Sequence, residues 1–440
     1  MLQNNSSTLL IILFNILILI YSFLIHKKVF KSYACVTITF LFSLFFFFFH
    51  TVIYSYIYYS NNSAIYYSCN FDPKYIFYAG VFTTFCNLFY TIGVTLYFLK
   101  KHKIKINIKR FINDFDSKHL FKLGITLFLI GAFTKLVFFI VLGHGNLLFY
   151  IKNYFNIQLT NSSEGGTFAN YLQFLFVLID IGSDLLLINA LKYKNKKGIT
   201  WLAIIFAFLL SFNVRMSVLK LMVQYIVIGT YYCDAFRKKI VALFVSVFLP
   251  LIFIFVVSMG FYRDYTNGIV KTISPSYMFL GSIHTMKAMA DGLEHKQCFG
   301  NLQYGKTIIM PVIQKPIPRS IWKNKTLNGA AVYTENMYPG SLESGYAIAP
   351  GICFDLFLNF GIIGTLIFFA LLGAFLAFIQ KVFLETFFFY GKEPCSAIFI
   401  AIAIAHLLML RGTDVSSYIV YLIYYYLPLF LVFVKVKFKI

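Results

Sequence analysis

The residues in this chain best suited to chemistry are cations held in stretches that do not resemble lipid. Pro316-Ile317-Pro318-Arg319-Ser320-Ile321-Trp322-Lys323-Asn324-Lys325, preceded by Pro311 and Lys315, places four cations on a backbone stiffened by proline. Arginine matches phosphate oxygens through a planar fork and lysine adds mobile positive charge, so this pattern predicts an anion-binding rim able to hold a pyrophosphate without metal. No C-x-x-C and no H-E-x-x-H is present, and no metal or other cofactor is expected. Arg215, in Ser211-Phe212-Asn213-Val214-Arg215-Met216-Ser217, lies between two short apolar runs, at or slightly below a membrane boundary. A snorkelling arginine is the bland alternative. Asp355 stands one turn before Asn359 in Gly351-x-x-x-Asp355-x-x-x-Asn359-Phe360-Gly361-x-x-Gly364. A carboxylate there is costly unless paired, with Arg319 or Arg411 as candidate partners. The glycines have a simpler reading, as small residues that let helices approach closely. Arg263, flanked by aromatics in Phe261-Tyr262-Arg263-Asp264-Tyr265, His284 and Glu343 complete the polar candidates.

The elements that must position these residues follow from composition. With 60% hydrophobic and 12% charged residues, the chain has too little polar side chain to cover a soluble globule of 440 residues. Its apolar runs last about 17–25 residues, the length of a membrane-crossing helix rather than of a barrel strand. The predicted class is therefore an all-α polytopic membrane protein, one membrane domain over 1–440 with no separate soluble domain. A net charge of +22 would suggest nucleic acid in a soluble protein. Here the excess sits in six clusters beside apolar runs: Lys27 to Lys31, Lys100 to Arg110, Lys192 to Lys197, Arg237 to Lys239, Lys381 with Lys392, and Lys435 to Lys439. These set orientation by the positive-inside rule, and no nucleic acid partner is expected.

Placing all six clusters inside gives about eleven spans, near 9–25, 35–58, 75–99, 119–142, 168–191, 199–212, 217–233, 240–260, 357–380, 395–410 and 417–434. The N-terminus is then outside, the C-terminus inside, and 261–356 becomes a long outer loop between the eighth and ninth spans. Long loops among tight connections carry function. Within it, Pro275 opens a helical pattern of Phe279, Ile283, Met286, Ala290 and Leu293 that predicts a helix lying on the membrane or capping the bundle, with His284 and Lys287 beside the stripe. In the spans, Lys135 and Lys220 are expected inside the bundle, and Asp180 and Asp184 share one helix face. Pairing of either lysine with Asp180 is the structural reading.

This order of features resembles the O-antigen and capsule repeat-unit polymerases of the Wzy type. The resemblance rests on a short helix pair bearing Arg215, the long outer loop with Pro-Arg-x-x-Trp-x-x-Lys, and an acidic residue before Asn-Phe-Gly-x-x-Gly. It implies a glycosyltransferase of the bacterial inner membrane, in lipopolysaccharide or capsular polysaccharide biosynthesis, with a periplasmic N-terminus and a cytoplasmic C-terminus. The enzyme would be metal-independent and would transfer a growing glycan from polyprenyl (undecaprenyl) pyrophosphate to another lipid-linked repeat unit on the periplasmic face. Its partners would be the lipid-linked oligosaccharides, the bilayer and a chain-length regulator membrane protein. Arg215, Arg319, Asp355 and His284 would be catalytic. Arg263, Trp322, Lys323, Lys325, Glu343 and Arg411 would bind substrate, and Asp355, Glu343 and His284 compete for the role of base. Two rival classes share much of this pattern. An O-antigen ligase would differ in its acceptor, and a lipid-linked oligosaccharide flippase should show two similar halves.

Overall fold

A computed structural model of the chain describes residues 2–31, 37–46, 50, 73–99, 116–142, 173–211, 215–232, 280–317, 321–322, 324–342, 347–348, 350–389, 394–407 and 414–433. Among these residues the regular structure is helical throughout, and the helices in chain order are α1 (Leu2–Phe30), α2 (Ile38–Phe46), α3 (Pro73–Leu99), α4 (Ser117–Leu142), α5 (Val177–Tyr193), α6 (Lys196–Ser211) and α7 (Arg215–Tyr232). They continue with α8 (Leu280–Glu294), α9 (Lys306–Gln314), α10 (Gly329–Met337), α11 (Gly351–Phe389), α12 (Pro394–Leu407) and α13 (Val415–Phe433). Stretches in α1, α3, α4 and α11 are long and apolar enough to cross a membrane, and α12 and α13 carry shorter apolar stretches. The expected spans at 35–58 and 240–260 fall largely or wholly outside the described residues.

The chain divides into two compact units, 1–103 with 257–380 and 407–420, and 104–256 with 381–406 and 421–440. In the first unit α1 turns its apolar side chains outward: Leu10, Leu13, Leu17 and Leu24 are exposed, while Asn15, Ser22 and His26 are buried. Asn15 donates from Nδ2 to Thr84 Oγ1 on α3 (2.6 Å), and His26 shares a hydrogen bond with Thr39 Oγ1 on α2 (2.6 Å). Leucine outside and amide inside is the pattern that lipid selects, because hydrocarbon repels an unpaired polar group and does not repel leucine. Close approach of α3 and α11 depends on Gly93 and Gly373. A Cβ on Gly93 would fall 1.9 Å from the Ala370 carbonyl oxygen, and one on Gly373 2.2 Å from that of Tyr90.

In the second unit Phe128, Leu186, Ile205, Leu209 and Leu221 bring α4 to α7 together. The expected pairing of a lysine with Asp180 is made through a third residue. Lys220 Nζ donates to Tyr425 OH (2.7 Å), which donates to Asp180 Oδ2 (3.0 Å). A phenol relay of this kind spares two buried charges from meeting at contact distance while leaving each with a partner.

The helix α11, 39 residues long, would be about 58 Å at 1.5 Å per residue, far more than a bilayer core of about 30 Å. Gly361 breaks it, with φ 68° and ψ −169°. Before the break, Gly351 to Asn359 are buried without interruption. After it, Ile363, Ile367, Leu371 and Phe375 form an exposed stripe at four-residue spacing. The break therefore separates a part enclosed by protein from a part with an exposed apolar stripe.

Candidate functional site

The break at Gly361 frees carbonyl groups that an intact helix would use, and the segment before α9 takes them. Gln303 N donates to Leu358 O (3.2 Å) and Tyr304 N to Asn359 O (3.0 Å). Asn359 extends the same contact through its side chain. Its Oδ1 accepts from Gly305 N (2.9 Å) and its Nδ2 donates to Thr307 Oγ1 (2.7 Å), so the start of α9 hangs from the mouth of α11. The sequence reading took both glycines of Asn-Phe-Gly-x-x-Gly as helix-packing residues. At Gly361 the structure gives another reason: its φ is positive, a backbone state that costs a residue with a Cβ, and a Cβ there would touch only Leu302. Gly364 makes room for the folded turn, since its Cβ would lie 2.5 Å from Phe360 Cβ.

Asp355, at 0% exposure, is the hub of the site. Its Oδ1 accepts from Thr307 Oγ1 (3.3 Å) and Asn359 Nδ2 (3.2 Å), and its Oδ2 from Val415 N (2.8 Å) at the start of α13. Its described partners are thus a hydroxyl, an amide and a backbone N–H, where the sequence suggested Arg319 or Arg411. Asp414 repeats the device. It accepts from Ser417 N (2.8 Å), which caps α13, and from Asn328 Nδ2 (2.9 Å). Asn328 in turn caps α10 by accepting from Ala331 N (2.9 Å). Both carboxylates sit at the N-terminus of α13, where unsatisfied N–H groups and the helix dipole favour negative charge. Gly329 is required beside them, because a Cβ there would fall 2.3 Å from Asp355 Oδ1.

The described residues on either side of Arg319 are tied together. Thr326 N donates to Gln314 Oε1 (2.7 Å), and Lys325 Nζ donates to Ile317 O. Trp322 and Ile321 are exposed. Arg263, Arg319, Lys323, Glu343 and Arg411 lie outside the described residues. Arg215 opens α7 and His284 lies in the first turns of α8, and for both the description stops at the backbone.

The helix α8 is more enclosed than a membrane-surface helix. Thr285 to Gly292 are buried around its whole circumference, and a Cβ at Gly292 would meet the Phe354 ring at 2.9 Å. This is the bundle-capping alternative of the sequence reading. Lys287, at 6% exposure, pairs with Asp291, at 5%, at 2.5 Å, and Tyr333 OH donates to the same Asp291 Oδ2 (2.6 Å). Burial alone would lower the Lys287 pKa, but the Asp291 carboxylate and the Tyr338 hydroxyl outweigh it and raise it. Burial and the adjacent carboxylate push the Tyr333 phenol above its usual range. Sequence reasoning missed Asp291 and Tyr333. The four-residue spacing of Lys287 and Asp291 was an available signal, whereas Tyr333 had none.

Between α8 and the broken turn lies a cavity of about 500 Å³. Phe299, Phe354, Phe357 and Phe360 line it, with the exposed Lys296 and the exposed Ile362 and Ile363 also bordering it. Its lining is largely apolar, with the Lys296 cation at the rim. Comparison of the chain with family models, curated proteins and solved structures finds no match.

Proposed function

We propose that the chain polymerises polyprenyl-pyrophosphate-linked oligosaccharide repeat units, of O-antigen or capsule, on the periplasmic face of the bacterial inner membrane. In this reading the chain crosses the membrane about eleven times, with 261–356 outside. The observation that carries the proposal is the Asp355–Asn359 lock. It ties the base of a cation-bearing, proline-stiffened segment to the mouth of a broken apolar helix, beside a largely apolar cavity that the exposed Ile362 and Ile363 also line. A lipid-linked pyrophosphate needs those two environments side by side.

The chemistry follows from the substrate. A sugar hydroxyl of one lipid-linked unit attacks the anomeric carbon of another, the bond from that carbon to the pyrophosphate oxygen breaks, and polyprenyl pyrophosphate departs with the electron pair. Arg215 and Arg319 offset the charge that develops on the leaving group, with Arg263, Lys323, Lys325 and Arg411 in support. Trp322 supplies a face on which a sugar ring can stack. Asp355 has both oxygens engaged by Thr307, Asn359 and Val415, so in this reading it holds the loop base, and His284 or Glu343 takes the hydroxyl proton.

Lipopolysaccharide or capsule ladders from a deletion strain complemented with variants test the proposal. Arg215→Ala and Arg319→Ala, at matched membrane expression, should each lose about 2–4 kcal/mol of transition-state stabilisation, on the order of a hundred- to a thousandfold in rate, and show mostly single-repeat caps. Lysine at either position should restore ladders only partly. Lys271→Ala, elsewhere in the outer stretch, should keep full ladders. Full ladders from both arginine variants would remove the proposed site. Unattached polymer in the deletion strain would indicate a ligase, and loss of both caps and polymer a flippase.

A further inference from the structure

The outward face of α9 has no covering protein among the described residues, and its position in the fold indicates what covers it. One side of the helix is committed inward: Thr307 to Asp355, Ile308 to the apolar core, Gln314 to Thr326. The other side presents Ile309 (57% exposed) and Ile313 (54% exposed), one turn apart. Exposed lysines stand at its two ends, Lys306 and Lys315. Tyr304 just before the helix and Ile321 and Trp322 after it are exposed as well.

The height of this face is fixed by hydrogen bonds. Gly305, which precedes α9, donates to Asn359, and the neighbouring Tyr304 donates to the Asn359 carbonyl. Four residues further along α11 is Ile363, the first member of the exposed apolar stripe, 75% exposed. Gly361 breaks the helix between the two, so α9 is anchored where the enclosed part of α11 gives way to the exposed stripe. A helix that lies in a bilayer interface places its apolar face in the headgroup–acyl boundary. Isoleucines on such a face, with a lysine at each end and a tryptophan nearby, match the chemistry of an anionic lipid surface: apolar residues for the acyl boundary, cations for phosphates, an indole for the interface between them.

We propose that the outward face of α9 is seated on the membrane surface, with Ile309 and Ile313 in the headgroup–acyl boundary and Lys306 and Lys315 on lipid phosphates. The bilayer surface is then the partner that sets the height of the loop bearing Arg319. The seat needs only that α11 crosses the membrane, and it stands or falls separately from any polymerase activity.

Single-tryptophan chains in nanodiscs of phosphatidylglycerol and phosphatidylcholine provide the test. With Trp201→Phe and Trp322→Phe as background, Ile313→Trp reports α9 and Glu335→Trp, on the exposed side of α10, serves as the reference. Lipids carrying a nitroxide near the headgroup or near the chain end are the quenchers in the bilayer, and acrylamide is the quencher in water. The expected result is strong quenching of Ile313→Trp by the shallow nitroxide, weaker quenching by the deep one, and protection from acrylamide relative to Glu335→Trp. Adding Lys306→Gln and Lys315→Gln should reduce the shallow quenching. Acrylamide quenching equal to that of Glu335→Trp would mean the face is in water and would overturn the proposal. Protection from acrylamide with no quenching by either nitroxide would mean that protein, such as a second copy, covers it, and would overturn the proposal as well. None of these readings requires turnover, so an inactive chain can still pass and an active one can still fail.

Discussion

Lys287→Met removes the ammonium from a pair in which both partners are nearly sealed from water and leaves the Asp291 carboxylate with the Tyr333 hydroxyl as its remaining close donor. Stripping one partner from a buried ion pair costs about 3–5 kcal/mol, because an uncompensated charge stays behind. Replacing both partners with apolar side chains of similar volume is often close to neutral. The double variant Lys287→Met/Asp291→Leu should therefore be more stable than Lys287→Met alone, although it carries one more substitution. Tyr333→Phe removes one hydrogen bond to a charged acceptor and should cost about 1.5–3 kcal/mol. In Asp291→Leu, where that acceptor is already gone, its cost should fall to that of a single neutral hydroxyl. Thermal unfolding in detergent, followed by the rise in maleimide-fluorophore labelling as the buried Cys86, Cys353 and Cys395 become reactive, gives the ranking, and the exposed Cys298 contributes to the starting signal. If the double variant loses the sum of the two single losses, the three residues do not act as one buried charge network and the reasoning fails.

The same network sets a pH dependence. Lys287 and Tyr333 both have folded pKa values raised above the ordinary ones, so their contribution is complete below about pH 10. Above that the unfolded chain releases its protons first, and stability should fall by about 1.4 kcal/mol per pH unit per group. Melting curves between pH 7 and 11 should show a decline in wild type that is shallower in a Lys287→Met/Asp291→Leu/Tyr333→Phe chain. Gly329→Ala should cost about 1–3 kcal/mol in the same melting assay and shorten ladders, since the new Cβ meets Asp355 Oδ1 at 2.3 Å and three partners hold that carboxylate in place. A cysteine at the exposed Asn324 in a cysteine-free chain should react with a membrane-impermeant thiol reagent in intact, outer-membrane-permeabilised cells. Protection there would invert the topology.

The sequence alone determined the solvent. Apolar runs of membrane length and so few charges leave only helices in a bilayer, because hydrocarbon offers no partner to an unpaired backbone group. It also marked Asp355 as a carboxylate too polar for its place unless paired, and the four-residue spacing of Lys287 and Asp291 put that pair within reach on one helix face without singling it out. Their partners were decided by tertiary structure. Thr307 reaches Asp355 across 48 residues, Tyr333 reaches Asp291 across 42, and Asn328 reaches Asp414 across 86. Helical periodicity says which face a residue shares with its neighbours three and four positions away. It carries no information about which loop closes over that face, so long-range partners stay unwritten in the pattern. The glycines show the same division. Asn-Phe-Gly-x-x-Gly was legible as small residues near a helix start, but a packing glycine and a break at positive φ are spelled alike. Only the carbonyls freed at Leu358 and Asn359, and the N–H groups of Gln303 and Tyr304 that take them, show that here the helix is broken where the start of α9 is held in place.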